Sequence, residues 1–342
     1  MSFLKERAGM GFSVGLGLTN DCDLKCAHCY RPRGQIHNLT LRDVQLICES
    51  LPIGSIGLGT GENGLNPEYF PIIDYLRERR IPVTLASNGF TVQATPDEIL
   101  KTFRDVEFSI DFPTEKEQNA FRGEGNWRRV LSCMERCRKL GMEVSILAVL
   151  MNVNFDKLGE LAKLVGSFGC NLRVNVFQPV RNRDFMPSYH QYWDAYRILF
   201  DHSALISCTE PLVNTFSGLN TLRGSPCGCR SIRITPLKEV LPCVYWPGGK
   251  VSLVQLVELK ESVFDTPHFQ ESRRIPGGCE ACRHAANCRG GCRSRALLLG
   301  GADGPDTFCP LRRGDFRQLS LTPYSEKRLL RSQSICTTIV RG

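Results

Sequence analysis

Three cysteines near the start of the chain, Cys22, Cys26 and Cys29, stand at i, i+4 and i+7 within LTNDCDLKCAHCY. Thiolates spaced this way in a loop can wrap three corners of an iron–sulfur cubane. Such clusters ordinarily take four cysteines, so a three-cysteine loop leaves one iron open to another ligand. Zinc prefers paired C-x2-4-C knuckles closed by a fourth ligand, a poorer match to this spacing. Eight more cysteines lie far downstream. Cys227, Cys229 and Cys243 fall in PCGCRSIRITPLKEVLPC, then Cys279-x2-Cys282-x5-Cys288-x3-Cys292, then Cys309. Eight thiolates are what two further four-cysteine clusters need, and two zinc ions are the alternative use. Seventeen cysteines concentrated this way read as metal ligands in a reducing, cytoplasmic protein rather than as disulfides.

The elements that must position the first set alternate in type. Strand-like runs are SVGLGLT (13–19), SIGLGTGE (55–62), PVTLASNG (82–89), VEFSID (106–111), MEVSILAVLM (142–151) and NLRVNVFQPV (171–180). Helical spacing follows each, at 40–51, 67–80, 95–103, 126–141, 155–169 and 188–202. Six β/α units predict a parallel sheet with right-handed crossovers, either an open partial barrel or a doubly wound sheet. In both, ligands collect at the C-terminal ends of the strands, where the cysteine loop sits.

Past residue 205 the alternation stops and Gly, Pro and Cys become dense. The reading is a first domain over 1–205, a linker over 206–226, a metal-stapled irregular domain over 227–312 and a basic tail over 313–342. No run of 18 apolar residues or signal-peptide h-region occurs, so a membrane span and export are not expected. The formal charge of +8 raises nucleic acid as a partner. One three-cysteine and two four-cysteine clusters would offset about five of those charges, which disfavours that partner.

C-x3-C-x2-C after a first strand, followed by partial (β/α)6 alternation, resembles the radical S-adenosylmethionine (SAM) superfamily. There the open iron chelates the amino and carboxylate groups of SAM, and an electron from the cluster splits the adjacent S–C bond. His28 stands where the family usually has an aromatic residue. Further segments match in order. Gly59, Thr60, Gly61 and Glu62 resemble the Gly-Gly-Glu loop that receives the SAM amino group. Ser87 and Asn88 end strand three, and Ser109 and Asp111 end strand four, where the ribose is bound. Arg122, in an FRG segment, is similar to the arginine that meets the SAM carboxylate. Gln178 and Val180 end strand six, beside the adenine. The C-x2-C-x5-C-x3-C run resembles the SPASM extension of radical SAM peptide maturases. That resemblance implies an inner auxiliary [4Fe–4S] cluster on Cys227, Cys229, Cys243 and Cys292, and an outer one on Cys279, Cys282, Cys288 and Cys309. Three clusters and SAM are then the implied cofactors.

The resemblance implies abstraction of a hydrogen from a ribosomally made precursor peptide by the 5′-deoxyadenosyl radical. The modification could be a cross-link, oxidation, epimerisation or excision. Implied partners are the precursor peptide, a separate winged-helix-type leader-recognition protein and a flavodoxin- or ferredoxin-type reductant. The separate recognition protein is expected because only about a dozen residues precede strand one. Sulfatase-maturing relatives carry an aspartate after the Cys243 equivalent; Val244 and Tyr245 follow here. CRGGCRSRA is also similar to haem-pathway relatives, so oxidation of a tetrapyrrole or sugar-like molecule is the alternative. A non-catalytic Fe–S electron carrier is a third reading, though it has no use for an open iron beside Gly59–Glu62. No general base stands out; Asp184, Tyr189 and His190 past strand six read as ordinary loop and helix residues. Cys48, Cys133, Cys137, Cys170, Cys208 and Cys336 read as packing.

Overall fold

Six strands each carry their apolar residues on alternate positions, and those positions turn toward helices. In chain order they are β1 (Phe12–Leu16), β2 (Ile53–Leu58), β3 (Val83–Ser87), β4 (Asp105–Ser109), β5 (Val144–Leu150) and β6 (Asn171–Val176). On β1 it is Val14 and Leu16 that join the core, while Gly15 lies on the opposite face. The same alternation puts Val106 and Phe108 of β4 and Leu172 and Val174 of β6 in the core. It leaves Asp105 and Glu107, with Arg173 of β6, together on the inner face. Every adjacent pair among these six strands is parallel. The order runs 1-2-3-4-5-6 without a break.

The crossover helices are α1 (Leu41–Ser50), α2 (Tyr69–Glu78), α3 (Phe90–Ala94), α4 (Asp97–Leu100), α5 (Glu115–Arg122), α6 (Asn126–Lys139), α7 (Leu158–Ser167) and α8 (Tyr189–Asp201). Their starts are chemically marked. Thr40 caps α1 and Ser188 caps α8, each in a reciprocal capping box. The helix expected over 95–103 is only the short α4, and a second short helix, α3, precedes it. Thr95 is extended, as a residue before proline tends to be, and Pro96 has no N–H to continue α3. Helix α5 was not expected, because its sequence EKEQNAFR has no long apolar stripe.

The computed structural model describes residues 11–217, 227–315, 319–324 and 336–342. The parallel β/α units end with β6 and α8, but the sheet does not. Strand β8 (Ser231–Ile234) pairs parallel with β1, and β9 (Glu239–Leu241) and β10 (Val251–Ser252) extend that edge. At the other edge β11 (Thr338–Arg341) inserts antiparallel between β6 and β7 (Ala204–Cys208). Two expectations therefore change. The span 206–226 contains part of β7 and helix α9 (Pro211–Phe216) in its described part. The expected tail ends in a sheet strand whose Ile339 and Val340 are fully buried. The basic stretches at 316–318 and 325–335 lie outside the described residues.

Between these strands the second region is short pieces: α10 (Leu253–Leu259), α11 (Pro267–Arg273), α12 (Ala285–Cys288) and α13 (Arg293–Leu298). Leu241, Cys243 and Trp246 form its own small apolar cluster, apart from the main core. Among the described residues no helix is long and apolar enough to cross a membrane.

Candidate active site

The loop after β1 is folded by side chains that capture its carbonyls. The buried Arg31 donates from Nη1 to Asn20 O (2.7 Å) and from Nη2 to Leu24 O (2.8 Å). Arg33 Nη2 donates to Cys26 O (2.8 Å), and Asn20 Nδ2 to Gln35 O (2.9 Å). These contacts hold Cys22, Cys26 and Cys29 at the C-terminal end of β1. Cys26 is buried; Cys22 and Cys29 are partly open. Burial pushes the Cys22 thiol up to about 12. Burial also raises Cys26, with Arg122 opposing. A buried thiolate is disfavoured until a metal takes its charge. The donor set therefore fits a group that binds thiolates, and Cys22, Cys26 and Cys29 are the residues that would hold it.

Gly59–Glu62 crosses directly beneath that loop. Gly61 has φ +69°, and a Cβ there would lie 2.4 Å from the carbonyls of Thr19 and Asp21, so only glycine permits this approach. Glu62 N donates to Asp21 O (2.7 Å), and Tyr30 Oη shares a 2.7 Å hydrogen bond with Thr60 Oγ1. Thr60 itself has φ +68°. Among the described residues, no atom beyond its chain neighbours lies within 4 Å of where a Cβ on Gly59 would be, leaving open space along that edge. Glu62 is buried and already accepts from Asn88 N (3.0 Å), Thr91 N (2.8 Å) and Ser87 Oγ. A carboxylate has about four acceptor sites, so one remains. Burial outweighs those donors and leaves its carboxyl raised. Asn88 Nδ2 in turn reaches Asp23 Oδ1 (2.8 Å) and Cys22 Sγ (3.6 Å). Asp23, inside the cysteine loop, also pairs with Arg129 of α6. Its place between two of the cysteines was the available signal for that link.

The strand-four end has a different character from the one expected. Asp111 is fully buried and accepts from Arg122 Nε (2.7 Å) and Val149 N (2.8 Å), with His28 Nε2 at 3.7 Å. Burial works to raise this carboxyl, but Arg122 and His28 hold it below the ordinary range. Arg122 is raised: burial opposes, and Asp111 and Cys26 outweigh it. Arg122 thus faces Asp111 and Cys26 together. His28 stacks on Phe121 (4.8 Å, 21°). Burial presses its imidazole down to about 4, so it is neutral near pH 7. Ser109 is held by its carbonyl, which accepts from Gln118 Nε2 (3.1 Å). Gln178 is buried with Oε1 unpartnered, while Val180 is exposed.

The downstream cysteines fall into two groups in space. Cys288 is pushed up to about 11 by burial first and then by Cys309, Cys279 and Cys282, so these four thiols share one neighbourhood. Cys243 is raised by its hydrogen bond with Cys227 and then by burial. Burial pushes Cys292 up to about 12, with Arg295 opposing and Cys243 among the groups that raise it. Cys227, Cys229 and Cys292 line one cavity. Among the described residues, no three His, Cys, Asp or Glu groups converge as ligands of a single ion. Of the remaining cysteines, Cys133, Cys137, Cys170 and Cys208 are buried within the core. Tyr189 donates to Asp315 Oδ2 (2.9 Å), and His190 and Asp184 are exposed. None of these three is brought to the cysteine loop by any described contact.

Residues 16–165 match the radical SAM superfamily. Over 328 residues the chain is 26% identical to the mycofactocin maturase MftC of Mycolicibacterium smegmatis, spanning 85% of this chain and 81% of that protein. It is 23% identical over 337 residues to the PqqA peptide cyclase of Gluconobacter oxydans, spanning 91% and 90%. The crystal structure of Streptococcus suis SuiB bound to S-adenosylmethionine has the same fold, with a TM-score of 0.70 at 16% identity over 90% of this chain and 80% of that one. The strand order, the cysteine loop at its C-terminal rim and these likenesses agree. Residues 16–165 are a radical SAM domain.

Proposed function

We propose that this enzyme cleaves SAM and uses the resulting radical to modify a ribosomally made precursor peptide. The observation that carries the reading is a juxtaposition. A three-cysteine loop, a glycine-opened rim and a Glu62 with one acceptor site left meet at one end of the sheet, and eight more cysteines are docked beside the same sheet by β8. The likeness to a peptide cyclase along nine-tenths of the chain supports a peptide as substrate.

Cys22, Cys26 and Cys29 would hold a [4Fe–4S] cluster, which would supply the electron needed to split the sulfonium S–C5′ bond of SAM. The chain's own residues do the positioning. Gly59 leaves the rim open for ligand backbone, and Glu62 keeps one acceptor site for an ammonium. Asn88 links strand three to Cys22, and Ser87 secures Glu62 rather than facing outward. Asp111 orients Arg122 toward the cysteine loop, where a guanidinium can meet a carboxylate. Ser109 and Gln178 offer polar groups at the ends of strands four and six, and Val180 an apolar one. Cys279, Cys282, Cys288 and Cys309 are assigned one auxiliary cluster, and Cys227, Cys229, Cys243 and Cys292 the other. In domain terms the barrel is 1–205, joined through 206–226 to the auxiliary unit 227–312, with β11 from the last segment returning to the sheet. A separate leader-recognition protein, a flavodoxin- or ferredoxin-type reductant and a cytoplasmic setting complete the reading.

Anaerobically reconstituted, reduced enzyme with SAM is expected to release 5′-deoxyadenosine and methionine. With its precursor peptide, the peptide mass should change in step. If SAM survives while iron analysis shows loaded clusters, the reading fails. If SAM is cleaved but only a small acid or tetrapyrrole is altered, the peptide assignment fails alone.

A further inference from the structure

Among the described residues, each buried arginine but one holds a carboxylate or a backbone carbonyl. Arg31 holds backbone carbonyls, Arg173 holds Asp105 and Glu107, Arg293 holds Glu271, and Arg295 holds Asp306 and Glu210. Arg233 is 7% exposed, and neither its Nε nor its Nη2 has a partner among the described residues. A buried guanidinium without partners is costly. It persists where a ligand completes it.

Its place says which ligand. Arg233 lies on β8 opposite Gly15 of β1. The guanidinium occupies the space above that glycine: a Cβ on Gly15 would lie 1.6 Å from Nη1. With Nη1 turned to β1, the free Nε and Nη2 are the two nitrogens of one edge. Their N–H bonds run parallel, the arrangement that a carboxylate accepts as a pair. Tyr30 and Tyr245 pack edge to face at 5.0 Å, and both sense the charge of Arg233. Both also sense Cys29, and both sense Cys243. The free edge therefore sits in an aromatic-walled part of the inner face, between the SAM-side cysteine loop and the auxiliary unit. The two-donor edge of one guanidinium matches the two oxygens of a carboxylate in number and direction.

We infer that Arg233 is a binding residue that anchors a carboxylate of the substrate on the inner face of the sheet, through its free Nε and Nη2. The carboxylate can be a chain terminus or an acidic side chain. This rests on the peptide reading only for the source of the carboxylate, not for the existence of the anchor. SAM also carries a carboxylate, and its own candidate partner is Arg122, on the far side of the cysteine loop from β8.

The test uses reconstituted holoenzyme with SAM bound, titrated with N-acetyl-trialanine and with its C-terminal amide by ligand-observed NMR. Wild type is expected to hold the acid about tenfold more tightly than the amide, the worth of one charge-assisted pair. Arg233→Gln should erase that preference, and Arg233→Lys should keep part of it. SAM affinity should stay within about twofold of wild type in both, since the pair lost is not SAM's. Three results overturn the inference. The first is a wild type with no acid preference, a measurement that needs no variant to fold. Arg233→Gln could instead weaken SAM while the acid preference survives, making the carboxylate SAM's. Or it could shift a cluster's reduction potential and leave both affinities intact, making Arg233 a counter-charge. Failure of the peptide reading looks different: no peptide is processed, yet the acid preference remains.

Discussion

The two cysteine-bearing regions are held in place by opposite means. The loop with Cys22, Cys26 and Cys29 rests on a finished scaffold. It hangs from β1, whose Val14 and Leu16 belong to a core that runs through all six parallel strands. The auxiliary unit has little core of its own, only Leu241, Cys243 and Trp246 with their neighbours. What organises it is a buried ion network. Arg295, fully buried, donates from Nε and Nη2 to Asp306 (3.0 and 2.6 Å) and from Nη2 to Glu210 (2.9 Å). Asp306 in turn accepts from the backbone N–H of Cys292 (2.8 Å), and Glu210 from Tyr192 of α8 (3.1 Å). Phe308 stacks on Tyr192 at 4.2 Å. The first region positions metal ligands by hydrophobic architecture, and the second by polar clamps that the ligands themselves must help to close.

Iron removal should separate the two most sharply. Chelation is expected to leave the barrel folded while the unit around 277–315 becomes open to protease, because bound metal carries part of its folding free energy. Cys26→Ala should do the reverse: SAM cleavage falls to background while the protease pattern stays that of wild type. Limited proteolysis and 5′-deoxyadenosine release on the same samples check both. Equal proteolysis throughout on chelation, barrel included, would break the contrast.

The next effect tests the polar clamp. Removing one partner of a buried pair strands the other, at a cost of about 3–5 kcal/mol. Asp306→Ala should therefore lower stability by about that amount and reduce iron loading, since the backbone N–H of Cys292 also loses its acceptor. Arg295→Met combined with Asp306→Leu and with Glu210→Gln, which would otherwise be stranded, should recover much of the stability but not the iron. Urea unfolding with iron analysis reads the two separately.

How far the chain disclosed this depends on the range of the contacts. The six strands and most of the helices are legible because hydrophobic period and capping are local properties: Thr40 and Ser188 mark helix starts within four residues. The cysteines are legible because ligand spacing is local too. Glu62 reads as a ligand group, but its acceptors are filled by N–H groups of Asn88 and Thr91, which no local pattern announces. The Asp111–Arg122 pair joins two residues that read separately as ribose and carboxylate ligands. β11 is invisible as a strand partner, because Thr338–Arg341 is four residues whose worth lies in filling the gap between β6 and β7. Arg233 sat in a stretch that read as irregular; only its register against Gly15 gives it meaning.

Glu62 gives a middle-sized test on the barrel side. Glu62→Gln keeps the shape and removes the charge that Asn88 N, Thr91 N and Ser87 Oγ converge on. A loss of about 1–3 kcal/mol in stability is expected, with the KM for SAM raised as well. If stability is unchanged and only KM moves, the carboxylate serves the ligand alone and the scaffold argument for this rim is wrong.

The smallest effect lies on the seam between the regions. Asp43 of α1 closes the capping box with Thr40 and also pairs with Lys238, in the turn between β8 and β9, at 2.9 Å. Burial works to raise its carboxyl, yet the Thr40 backbone and Lys238 hold it below the ordinary range. A depressed carboxyl contributes stability that is present above its unfolded pKa, about 4, and is lost as the pH falls through the folded value below it. Asp43→Asn should therefore cost about 1 kcal/mol at neutral pH, and the difference from wild type should shrink as the pH drops below about 4. Lys238→Met should reproduce only the part owed to the ion pair, because the cap remains. If the two variants cost the same at neutral pH, the seam is electrostatic rather than a helix cap. The barrel and the auxiliary unit would then be joined at this edge by a contact that salt can screen.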